Sequence, residues 1–276
     1  FASTPMGKNS IIDFKIPSRL EDTQYLLDQT KEIYSLENEY DHNINFEGVF
    51  DIKKNIETCC KGGVISSIQF LEIADTIAAA RKLKKTISNF ELRPKLSSLL
   101  EKLVDHIELE KILKNGIENN GRISDRACPK LSELRKQLIS IKNERRVILD
   151  KIIYKNNNYI QDAIISERVG RPVLAIKVNF INKFKGIIHD SSSSGNTIFI
   201  EPEAVVVKGN KIASCKAKIA NEEFKLLKSW ANFISGNRDT LLLMSDILLG
   251  IENAHTRARY SRWIKGRPPK FMSDLN

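Results

Sequence analysis

Gly186 to Pro202 reads GIIHDSSSSGNTIFIEP, four consecutive serines following a histidine and an aspartate. A serine nucleophile needs a base aligned on its hydroxyl and donors that hold an oxyanion. His189 is close in sequence, but no G-x-S-x-G elbow is present and no third group is placed to orient the base. No catalytic residue is therefore assigned. The same residues suit a connection between two strands: small side chains from Ser191 to Asn196, hydroxyls that cap backbone groups, and Gly195 for a positive φ. Backbone amides of such a turn can also meet phosphate.

Metal chemistry finds no better support. Cysteines stand at 59, 60, 128 and 215, with no C-x-x-C and none at zinc spacing from a histidine. The histidines at 42, 106, 189 and 255 are scattered. Adjacent Cys59 and Cys60 cannot easily bridge to each other. Reduced thiols imply an intracellular, reducing compartment: cytoplasm or nucleoid, or a plastid were the source a plant. No apolar run reaches the roughly 18 to 20 residues of a spanning helix, so no membrane partner is expected.

Charge is the stronger signal. The 276 residues carry a formal charge of +10. Between Arg168 and Lys218 nine basic residues face three acidic ones. Arg168, Arg171, Lys177, Lys183, Lys185, Lys208 and Lys211 are the candidate nucleic-acid-binding residues, suited to phosphates rather than base edges. Period-two alternation would put Lys183 and Lys185 on one side of a strand. The alternative is a solvated lysine edge that guards the sheet against aggregation. Arg257, Arg259, Arg262, Lys265 and Arg267 form a second basic cluster, expected to orient a domain junction.

The elements that must position these residues are mainly helical. Ser18 with Glu21 makes a capping-box pattern opening a helix to about Tyr40. A second helix around Val49, Ile52 and Ile56 is closed by Gly62-Gly63. Ser66 with Gln69 caps a third, to about Ser88. Pro94 starts a helix running to about Leu113. Ser124 or Asp125 would cap a long helix with Pro129 in its first turn. Its apolar residues Leu131, Leu134, Leu138, Ile141 and Ile148 make a heptad-like seam. From Pro129 to Tyr154 it spans 26 residues, about 39 Å. RPVLAIKVN, GIIHD and TIFIEPEAVVVK then read as short strands. From Lys211 a second long helix returns, followed by DTLLLMSDILLGIENAHTRARYSRW. The expected architecture is a helical core bundle with two long antiparallel lever helices and a small antiparallel β clamp inserted at their tip. The boundaries are 1–123 for the core, 124–167 for the ascending lever, 168–210 for the clamp, and 211–276 for the descending lever and return helix.

GIIHDSSSSGNTIFIEPEAVVVKGN resembles the type-two MutS family, in which a similar G-I-V-H-D-x-S-x-S-G-x-T-x-F-I-E-P-x-x-V-V run occurs. GRISDRACPKL and RVGRPVLAIKV resemble further stretches of that family, and DIKKNIETCCKGGVISSIQFLEI does so more weakly. The resemblance marks His189, Asp190, Ser192, Ser194, Gly195, Thr197, Phe199, Glu201 and Pro202 as the clamp-turn motif. Cys128, Ala175 and the KGN at 208–210 depart from its pattern. It implies a core, lever and clamp segment that grips DNA or branched DNA by its backbone in mismatch-repair-like control of recombination. It further implies a homodimer, and an ATPase using ATP and magnesium followed by a Smr-type nuclease. No G-x-x-x-x-G-K-[ST] phosphate loop occurs here, so those cofactors are expected only downstream. The chain starts at Phe1 rather than Met, which reads as a fragment or a processed chain. Recognition of stalled ribosomes through ribosomal RNA is the alternative within the family. A truncated paralogue acting as a protein-interaction scaffold is the alternative from a different functional class. Phe70-Leu71-Glu72 and Phe199-Ile200-Glu201 both imitate a mismatch-reading Phe-x-Glu, but both phenylalanines are expected to be core residues.

Overall fold

The computed structural model describes residues 1–39 and 44–271. Tyr40 and His42 lie outside the described residues. The chain divides into two compact units, Phe1–Ala127 with Leu226–Asn276, and Cys128–Lys225.

The first unit is helical. Helix α1 (Pro5–Ile12) was not anticipated, although Thr4 caps it by accepting from Gly7 N–H and Pro5 opens it. Helix α2 (Leu20–Glu39) opens one residue later than a Ser18 cap requires: Arg19 supplies the first carbonyl, accepting from Thr23 N–H at 3.1 Å. Helix α3 (Lys53–Cys60) ends at Gly62, whose φ of 79° is the left-handed conformation glycine adopts freely. Helix α4 (Ser67–Ile87) carries the expected capping box of Ser66 and Gln69.

The single helix expected from Pro94 to Leu113 is two, α5 (Pro94–Glu101) and α6 (Ile107–Gly116). Lys84 from α4 donates to the Leu103 carbonyl and pairs with Asp105, and His106 turns the chain at φ 41°. Helix α9 (Arg238–Trp263) packs against α1, α2 and α3. Phe70 is fully buried and meets Trp230 edge-on at 5.8 Å. Glu252, also fully buried, accepts from the Ser3 and Thr4 amides and the Thr4 hydroxyl, fastening the first residues to α9.

The second unit holds helix α7 (Pro129–Lys155), a four-stranded sheet and most of helix α8 (Glu203–Gly236). Cys128, not Ser124 or Asp125, is the N-terminal cap residue of α7, and it makes no side-chain cap bond. Ser124 instead accepts from Arg126 N–H in the preceding turn. Three contacts show that α7 and α8 run antiparallel. Lys130 pairs with Glu222 at 2.9 Å, Cys215 Sγ meets the Leu134 carbonyl at 3.3 Å, and Lys208 pairs with Glu144. As one number rises, its partner's falls. The expected mainly helical fold with a long antiparallel pair and a small antiparallel sheet is what the chain adopts.

The strands are β1 (Ile160–Arg168), β2 (Arg171–Lys177), β3 (Gly186–Ser191) and β4 (Thr197–Pro202), in the order β1-β2-β4-β3, all antiparallel. Two boundaries move. Residues 160–167, placed in the ascending helix, belong to β1. EAVVVK, read as strand, is the start of α8, because β4 ends at Pro202 and Val205 turns into the core. One sheet face packs with α7 around Leu149, Ile160, Leu174, Ile176, Ile200 and Val205. Lys183 and Lys185 are not on a strand. Val178–Lys183 is a 3-10 helix, and the β3–β4 pairing starts only at Gly186 opposite Pro202. Phe184, between these lysines, packs into the apolar cluster and meets Tyr159 edge-on.

Candidate nucleic-acid interface

The serine run is a turn. Ser192 N–H donates to the Thr197 carbonyl at 2.8 Å, and Ser192 Oγ accepts from Thr197 N–H at 3.1 Å. Gly195 sits at φ 71° and donates to the Ser192 carbonyl at 2.8 Å, while the Ser192 and Ser194 hydroxyls are 3.3 Å apart. No serine hydroxyl is hydrogen-bonded to His189 among the described residues. The other hairpin, Val169-Gly170 between β1 and β2, has both central residues at positive φ, 50° and 74°, as a type I′ turn requires.

The sheet face opposite the apolar cluster carries a buried carboxylate beside Val173 and Ala175. Glu201 is 1% exposed and receives His189 Nε2 at 3.0 Å and Arg171 Nη1 at 3.5 Å. Arg171 also donates to Asn210 Oδ1 at 3.0 Å. Within the clamp-turn motif, the Glu201 carboxylate is the centre of this network. The signal in the sequence was a carboxylate and a histidine on neighbouring strands, visible only once β3 and β4 are paired in register. Gly209 makes room: a Cβ there would lie 2.6 Å from Arg171 Nη1.

Asp190 pairs with Arg168 at 3.2 Å, and the Arg168 guanidinium lies 4.2 Å from the Phe199 ring centroid. Phe199 is thus half-buried under a cation, not a core residue; Phe70 is in the core as expected.

Four of the seven candidate cations therefore have internal partners. Arg168 and Arg171 hold carboxylates, Lys177 donates to the Asn158 carbonyl at 3.2 Å, and Lys208 pairs with Glu144. The Lys208 hydrogen bond, helped by the Ser140 hydroxyl and the Lys211 charge, holds the Glu144 carboxyl below the usual range. Lys183 and Lys185 are exposed and make no ion pair or side-chain hydrogen bond among the described residues. Lys211, Lys216 and Lys218, along α8, are exposed too. Once the paired charges are set aside, the basic surplus between Arg168 and Lys218 is lysine.

Among the described residues no His, Cys, Asp or Glu cluster is arranged to hold a metal ion, and no helix is long and apolar enough to cross a membrane.

No family model matches the chain. It is 32% identical over 273 residues to a protein of Synechocystis sp. named Endonuclease MutS2, covering 99% of this chain and 33% of that one. The proteins of the same name from Halalkalibacterium halodurans and Symbiobacterium thermophilum are 33% and 28% identical, over 80% and 99% of this chain and 29% and 34% of theirs. The chain spans about a third of the length of the curated relatives it matches.

Proposed function

The chain belongs to the type-two MutS family, and from that premise we propose that its sheet-bearing unit grips nucleic acid by the phosphate backbone, with branched DNA as the ligand and control of recombination as the setting. The observation that carries the reading is the set of exposed lysines left over when internal pairs are removed, Lys183 and Lys185 first among them. A lysine ammonium is a point charge that meets phosphates without reading bases. Selection would therefore rest on the shape of the nucleic acid. In the full-length protein, working as a homodimer in a reducing intracellular compartment, ATP turnover and the strand cleavage in the relatives' name fall to other segments. ATP and magnesium would be held there, since no phosphate loop occurs in this one.

The test is fluorescence anisotropy with a labelled four-way junction, a linear duplex and a ribosomal RNA fragment, titrated over a range of salt. Lys183→Gln with Lys185→Gln should weaken junction binding and reduce the log–log salt slope by about 0.9 per lost contact, about 1.8 for both. Affinity and slope equal to those of the parent would remove these lysines from the binding surface. Tighter binding of the RNA fragment than of either DNA would move the function to the ribosome.

A further inference from the structure

In the first unit, a groove of about 740 Å³ runs between residues 14–17, α2, and the last turns of α9 with the chain that follows. Phe14, Leu26, Leu27, Tyr260 and Ile264 make much of its wall. Small-ligand pockets span roughly 300–1,000 Å³, with apolar walls and a few polar groups that fix the ligand. Here the central polar group is Arg257. Its Nε donates to Thr30 Oγ1 at 3.0 Å, while Nη2 reaches only the Leu26 carbonyl and Gln29 Oε1, both at 3.4 Å. Nη1 has no partner among the described residues. Burial lowers the Arg257 pKa to about 10, the direction expected of a cation whose surroundings do not replace its lost hydration.

The carboxylates that could neutralise it are engaged elsewhere. Glu37 receives His255 Nε2 at 2.8 Å and lies 3.1 Å from Arg262 Nη2. Asp28 accepts from Gln24 Nε2 at 2.8 Å and Lys31 Nζ at 3.2 Å. Among the described residues, Lys31 and Arg267 are the other charged residues along the groove, and no Asp or Glu lines it. The half-buried guanidinium thus has neutral acceptors and the Phe14 ring, 5.9 Å from its carbon, and no carboxylate bonded to it among the described residues.

The geometry points to a binding site for an apolar carboxylate of small-ligand size, its head completing Arg257 and its hydrocarbon or aromatic body filling the groove. Guanidinium–carboxylate pairs are short, charge-assisted and two-pointed, which suits the donors left open here. This site is separate from the nucleic-acid reading and stands or falls without it.

The probe is decanoate, titrated calorimetrically into the whole chain below its critical micelle concentration. Decanol and decyltrimethylammonium serve as neutral and cationic controls with the same body. Decanoate should bind saturably at one equivalent, and both controls at least about tenfold more weakly. Arg257→Gln should erase the preference for decanoate over decanol. Ser35→Trp, at an exposed position on the groove, should weaken decanoate binding with the fold intact. Absence of saturable decanoate binding, equal affinity for decanol, or an unchanged preference in Arg257→Gln would overturn the assignment. Should Arg257→Gln fail to fold, the three-ligand comparison and Ser35→Trp still decide it.

Discussion

Replacing Glu201 by Gln tests whether the polar network around this carboxylate holds the second unit together. The carboxylate is 1% exposed, 3.0 Å from His189 Nε2 and 3.5 Å from Arg171 Nη1. A hydrogen bond to a charged group contributes about 1.5–3 kcal/mol. The Arg171 contact is at the limit of hydrogen-bond length, and that side chain is 33% exposed, so water replaces much of what it loses. Its bond to Asn210 is untouched. The loss is then mainly the His189 contact, about 2 kcal/mol, below the ~3–5 kcal/mol that follows removal of one partner from a fully buried pair. At about 1.4 kcal/mol per tenfold, that is roughly a 30-fold larger opening constant. Native-state hydrogen exchange with mass spectrometry on the whole chain reads it directly. Peptides covering β2, β3 and β4 should exchange about 30-fold faster, while α4, in the other compact unit, should not change. Unaltered exchange in β3 and β4, or equal acceleration in α4, would refute the reasoning.

Val169 is 92% exposed and held at φ 50°, where a β-branched side chain is strained. Val169→Asn should stabilise the hairpin by about 1 kcal/mol, seen as slower β1–β2 exchange; faster exchange would show that the valine contributes packing. A Cβ on Gly186 would collide with the Glu201 carbonyl and the Ile200 side chain. Gly186→Ala should therefore open the β3–β4 pairing and lower Tm, and a parental Tm would show that the strands can separate without penalty. Burial, opposed by Glu37, holds the His255 pKa below 6.5, and burial does the same for His106. A base with a depressed folded pKa binds fewer protons when folded, so its contribution is intact above about pH 6.5 and falls as pH drops below it. Melts from about pH 7.5 to about pH 5 should show a falling Tm, partly flattened in His255→Gln; an identical slope in that variant would exclude the residue.

Local chemistry was legible wherever a short stretch decides its own conformation. Ser66 with Gln69, Pro129 at a helix start, Gly195 in its turn, and the three-and-four spacing of Leu131 and Leu134 all act within one or two turns of chain. The apolar run after Glu201-Pro202 was not legible. Three consecutive valines fit strand or helix equally, and only Val205 packing near Leu174 and Ile200 selects the helix. The break between α5 and α6 depends likewise on Lys84, about twenty residues away, catching the Leu103 carbonyl.

Charge shows the same division. The sequence by itself determined the family motif, the long helical pair and the basic surplus of the sheet-bearing segment, because composition and short-range order need no folding to be counted. Which cations remain available was decided only by the tertiary structure. Strand register brings Asp190 to Arg168 and Glu201 to Arg171 and His189, and antiparallel helices bring Glu144 to Lys208. Coulomb interaction and desolvation depend on distance in space, and folding joins residues that stand 12 to 64 positions apart along the chain.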